Sequence, residues 1–100
     1  MIESMTIEMS VADASRLLQV VSDPARLQVL RDLAGGTRCV CDLQATASVA
    51  PNVLSYHLKV LRDAGLVTTT RRGRWIDYHL APDAGRRLRA TLAGLVDGVP

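Results

Sequence analysis

The chain has 100 residues, a formal net charge of +2 and 48% hydrophobic residues, enough for a single domain over residues 1–100 with a modest core that an oligomer would enlarge. No apolar run approaches the roughly 20 residues of a membrane-spanning helix, and the acidic, polar-interrupted start MIESMTIEMS is not a secretory signal. A cytoplasmic protein with no membrane partner is therefore expected, and its two cysteines read as reduced thiols, ligands or redox groups rather than a structural disulfide.

In chain order, Ser10 suits the N-cap of a first helix, VADASRLLQVV, whose Val11, Ala14, Leu18 and Val21 recur at helical spacing with Leu17 beside them. SDPARLQVLRDLAGG predicts a second helix, capped by Asp23, opened by Pro24 and stopped by Gly35 and Gly36. CVCDLQATA is a short third helix, and APNVLSYHLKVLRDAG a fourth that begins near Pro51 and ends at Gly65. The period then changes. LVTTT and RWIDYHL are β-type runs, with Ile76, Tyr78 and Leu80 alternating with Trp75, Asp77 and His79, and RRGR between them supplies the turn at Gly73. After Pro82 a last helix carries Leu88, Leu92, Leu95 and Val96 on one stripe. The result is a mainly α chain with a small β-hairpin, ordered α-α-α-α-β-β-α, which describes a winged helix-turn-helix.

On a wheel of about 100° per residue, Leu54, Leu58 and Leu61 share the buried face of the fourth helix. Asn52, Tyr56, Lys59 and Asp63 collect on the opposite face with Ser55 at its flank. Amides read base edges, while hydroxyls and lysine reach phosphates. His57 lies about 60° from the buried axis and reads as a half-buried histidine bonded at a helix seam. Eleven of the twelve basic residues are arginine, and most of the basic charge lies between Lys59 and Arg89. Arg71, Arg72 and Arg74 at the hairpin tip, judged to lack an aromatic platform, suit duplex phosphates or the minor groove better than single strands. The alternative is an amphipathic helix with a solvated arginine surface. The hairpin directly behind the polar helix face favours double-stranded DNA.

Two residues separated by one position in a regular helix point about 200° apart, so a Cys-x-Cys inside a helix cannot grip one ion. Position changes this for RCVCDLQ. Cys39 aligns with the N-cap, Val40 and Cys41 with the first two helical residues, and Asp42 with the acidic half of a capping box. An N-cap backbone is not helical, so the Cys39 side chain folds back over the first turn and both sulfurs converge there. A helix N-terminus suits an anionic donor, and the thiolate is the form that binds soft metals and metalloids. From the residues alone, two small buried thiols serving as apolar side chains are the leading reading.

SDPARLQVLRDL, VLSYHLKVLRDAGLV and RRGRWIDYHL together resemble the second helix, the recognition helix and the wing of the ArsR/SmtB family of bacterial metal-responsive repressors, over about Ala12 to Val96. The resemblance implies a homodimer built from the first and last helices, with Ala14, Leu18, Val21, Leu88, Leu92 and Leu95 at its interface. It implies an inverted-repeat operator, contacted here by Asn52, Ser55, Tyr56, Lys59, Arg71, Arg72 and Arg74, and release on ligand binding. CVCDL resembles the arsenic- and cadmium-responsive branch, which makes Cys39 and Cys41 the metal site and As(III) or Sb(III), or another thiophilic ion, the inducer, with no organic cofactor. The chain departs from the arsenic pattern at Gln44, where a third Cys often stands. It departs from the cadmium pattern in an N-terminus without Cys, and from the zinc pattern in a last helix that has Asp83 and Asp97 but no His. Two thiolates suit linear Hg(II) or Cu(I), whereas trigonal As(III) needs a third donor. A disulfide redox switch is the alternative use of the pair, and a winged-helix protein-interaction module the alternative use of the fold. No Ser-His-Asp set, phosphate loop or pocketed acid pair supports an enzyme.

Overall fold

The computed structural model describes residues 10–97, and all but Ser10 of the N-terminal segment MIESMTIEMS lies outside them. The Ser10 side chain accepts a hydrogen bond from the Asp13 amide at 3.0 Å and starts α1, Val11–Val21. Asp23 accepts from the amides of Ala25 and Arg26 at 2.8 and 3.3 Å and starts α2, Pro24–Ala34. There follow β1 (Arg38–Cys39), α3 (Val40–Thr46), α4 (Pro51–Asp63), β2 (Val67–Arg72), β3 (Trp75–Leu80) and α5 (Ala84–Val96).

The expected hairpin is present, and strand β1 adds a third strand to it. β1 pairs antiparallel with the far edge of β3, Arg38 opposite Tyr78 and Cys39 opposite Asp77, so the sheet has three strands in the order β1-β3-β2. Two residues are too few to carry a strand period, and their extended form comes from docking on β3. The turn is also shorter than RRGR. Arg71 and Arg72 belong to β2, opposite Ile76 and Trp75, which leaves Gly73 and Arg74 as the turn. Gly73 alone of the two has positive φ, 63°, as the first position of a type II′ hairpin requires.

The core joins every helix except the outer half of α5: Leu17 from α1, Val29, Leu30 and Leu33 from α2, Leu43 from α3, Leu54, Leu58 and Leu61 from α4, and Ala84 from α5, closed by Leu66, Val67 and Tyr78. Full burial of one such leucine stabilises the fold by about 1.5–3 kcal/mol. The α4 face expected inward is the one that is buried. A Schellman pair ends α4, from Leu66 N–H to Leu61 O at 3.1 Å and from Gly65 N–H to Arg62 O at 2.9 Å. Gly65 takes φ 76° there and turns the chain directly into β2. Arg87 of α5 donates to the carbonyls of Ala64 and Gly65, each at 3.1 Å. This arginine of the basic half thus stabilises the exit of α4.

Candidate nucleic-acid interface and thiol pair

Asn52, Ser55, Tyr56 and Lys59 are all exposed on the side of α4 away from the core. Lys59 pairs with Asp63 at 2.9 Å, but both side chains are well exposed, and such i,i+4 pairs are weak enough to yield to a phosphate. Ser55, Lys59 and Arg62, with Leu58, Asp63 and Tyr78, line a groove of about 350 Å³ between α4 and β3. Arg62 was not singled out from the sequence as a binding residue. Its signal was available, since it follows Ser55 by two helical turns and Lys59 by three residues on the same face.

His57 lies at the helix seam and is buried there rather than half-buried. Its Nδ1 lies 3.0 Å from the Arg26 guanidinium. Arginine only donates, so Nδ1 accepts and Nε2 carries the hydrogen, facing Asp23 Oδ1 at 3.7 Å. Arg26 also donates to the α1 carbonyls of Val20 and Gln19. One cluster therefore ties the end of α1, the start of α2 and the middle of α4. Burial works against the Asp23 charge, but the amides of Ala25 and Arg26, with the charge of the Arg26 guanidinium behind them, hold its carboxyl below the ordinary value.

The wing arginines differ from one another. Arg71 donates to the Gly73 carbonyl at 3.3 Å, and Arg74 stands exposed in the turn. Arg72 donates through Nε and Nη2 to the two carboxylate oxygens of Asp77, at 2.9 and 3.0 Å. That fork holds the Asp77 carboxyl below its ordinary value and the Arg72 guanidinium above its own. Trp75, directly opposite Arg72, is 54% exposed. The hairpin tip does carry an aromatic side chain, contrary to the expectation of none, because strand register brings Trp75 beside Arg72 on one face.

The third helix begins where its sequence suggests. Cys39 has extended backbone at the N-cap, Cys41 is the second helical residue, and Asp42 completes a capping box by accepting from the Cys39 amide at 3.5 Å. Sulfur accepts weakly, so Cys39 is a poorer cap than serine. Both cysteines are free, Cys39 half-buried and Cys41 exposed. Among the described residues no three His, Cys, Asp or Glu side chains gather as a metal site, so the described residues offer two thiols and no ready third donor. Gln44, standing where a third thiol was sought, instead donates to the Val49 carbonyl at 2.8 Å. Thr46 donates to Asp32, so α3 is tied to the turn before α4 and to α2.

Residues 23–69 match the sequence pattern described as bacterial regulatory protein, arsR family. The chain is 42% identical over 72 residues to an arsenical resistance operon repressor of Staphylococcus xylosus, covering 72% of this chain and 69% of that protein. It is 41% identical over 63 residues to the arsenical resistance operon repressor of Bacillus subtilis (strain 168), covering 62% and 60%. Its fold is similar, with TM-score 0.72 and 35% identity over 78% of this chain and 81% of the other, to a crystal structure of a "possible transcriptional regulator for arsenical resistance".

Proposed function

The chain belongs to the arsR family of bacterial regulatory proteins and is a transcriptional repressor of that family rather than an enzyme; from that premise we propose that it acts as a homodimer on an inverted-repeat operator and that a thiophilic metal or metalloid, bound at Cys39 and Cys41, releases it. As(III) or Sb(III) is the favoured inducer, since several similar proteins are arsenical resistance repressors. The observation that carries this reading is the position of the two thiols, at the N-cap and second residue of the helix that precedes α4.

Both thiols fit a soft ion chemically. A trigonal metalloid would take its third donor from outside the pair, from solvent or a small thiol. When bound, such an ion supplies bonds that hold two sulfurs at one point. The rest is the work of the chain. Drawing the sulfurs together competes with the cap of α3 and strains its first turn. That helix is held through Gln44 to Val49 at the threshold of α4, so the strain reaches the helix that presents Asn52 and Tyr56. Cys39 also lies opposite Asp77, a second connection, this one to the wing. Duplex DNA is read by α4 in the major groove, while the arginines of β2 and the turn supply phosphate contacts.

The test is a mobility shift on the protein's own promoter with arsenite, antimonite, Cd(II) or Hg(II), for wild type and for the Cys39→Ser, Cys41→Ser double variant. Serine retains the cap, so the variant should bind the operator as wild type does and stay bound at ligand concentrations that release wild type. Release of the variant at those concentrations would put the sensing site elsewhere. Release of wild type by an oxidant and not by these ions would favour the thiol redox switch.

A further inference from the structure

Asp77 is the acidic residue of the wing, and its placement is costly for a DNA-binding element. A carboxylate beside the phosphates repels them, and on charge alone its removal should tighten binding. The geometry gives it another role. Its side chain is only 17% exposed, against 64% for Arg72, and both oxygens are engaged by Nε and Nη2 of that arginine. The fork uses two of the five guanidinium donors. Neither N–H of Nη1 takes part in it. Arg72 is thus anchored along one edge, with Nη1 on another edge of an exposed, planar group.

We propose that Asp77 is a positioning residue for DNA binding: it holds the Arg72 guanidinium rigid so that its outer edge meets a backbone phosphate. The proposal rests on the DNA-binding reading above. A long side chain free in solvent gives up much rotamer freedom when it takes up one contact, and a preset fork gives up little. Register makes the arrangement specific. Arg72 and Asp77 share the outer face of β2 and β3 with Trp75, since alternate residues share a face. On that face β1 sets Cys39 beside Asp77.

The predicted sign separates this from simple electrostatics. With wild type and a random-sequence duplex oligonucleotide, binding should weaken as salt rises. Asp77→Asn removes a negative charge, yet it should bind the same duplex about three- to tenfold more weakly, the scale of ordering one long side chain on binding. Its salt slope should be about 0.9 lower, the value of one neutralised phosphate. Arg72→Lys keeps the charge and cannot fork, so it should weaken binding by a similar factor. Adding Asp77→Asn in the Arg72→Lys background should then bring no further loss of affinity. Asp77→Asn binding that is unchanged or tighter overturns the proposal. So does an equal additional weakening in the Arg72→Lys background, which would mean that Asp77 only maintains the wing's fold. If wild type shows no salt-dependent binding to duplex DNA, the DNA-binding reading itself fails, and this proposal with it.

Discussion

Asn52 stands exposed in the first turn of α4, one residue after Pro51, where a helix entering the major groove presents its reading side chains. Asn52→Ala is expected to cost about 1–3 kcal/mol on the operator and little on random duplex, since a bidentate amide–adenine pair discriminates by that amount. Equal losses on both sequences would make Asn52 a backbone contact. Trp75 offers a second measurement at this scale. It is the only tryptophan of the chain, it is exposed, and it lies across the hairpin from Arg72. Titrating duplex DNA should therefore change its emission in intensity or wavelength, and Arg74→Ala should reduce that change only as far as it reduces binding. Constant emission through a binding isotherm measured by anisotropy would remove the wing from the interface.

Among the helices, α2 is the one whose cap should respond to acid. Asp23 caps it, and the Asp23 carboxyl lies below its ordinary value of 3.8. A lowered carboxylate contributes stability that is present above the unfolded value and is lost as pH falls through the folded one. Asp23→Asn is a capping residue of equal rank that cannot titrate and has no charge to face His57 and Arg26. Wild type should therefore be the more stable near neutral pH, and the gap should close as the pH drops below about 3.8. Urea unfolding of both proteins across that range measures it, and a gap that widens in acid would contradict the assignment. Because the same carboxylate faces the seam histidine of α4, the loss of stability belongs to the α1–α2–α4 junction as a whole.

At the scale of the molecule, the six residues expected at a dimer interface divide into two groups. Val21 and Leu88 pack partly against the chain's own core, with Leu17 the α1 residue that enters it fully; Ala14 and Leu18 are half-buried. Leu92 and Leu95 are 51% and 60% exposed on α5, and Val96 extends the patch. An exposed apolar stripe at the end of a small core fits association of two copies. Leu92→Glu with Leu95→Glu leaves the core untouched and should give a folded monomer by sedimentation, at a concentration where wild type sediments as a dimer. An unchanged dimer would move the interface away from α5.

The sequence by itself determined the helices, their caps and the buried face of α4, because these follow from interactions within three or four residues: Ser10 on Asp13, Asp23 on Ala25 and Arg26, Cys39 with Asp42, and a leucine stripe at helical period. It also named the exposed face of α4 and the thiol positions, which need only a wheel and a cap. What only the tertiary structure decided depends on partners distant in sequence. β1 has no period of its own and exists because β3 offers an edge. Arg87 belongs to the exit of α4, across 22 residues from Gly65. Arg26 meets His57 across 31 residues. The division of the wing arginines is of the same kind: Arg72 is clamped and Arg74 is not, because strand register, rather than the run RRGR, puts Asp77 and Trp75 on the face that Arg72 occupies.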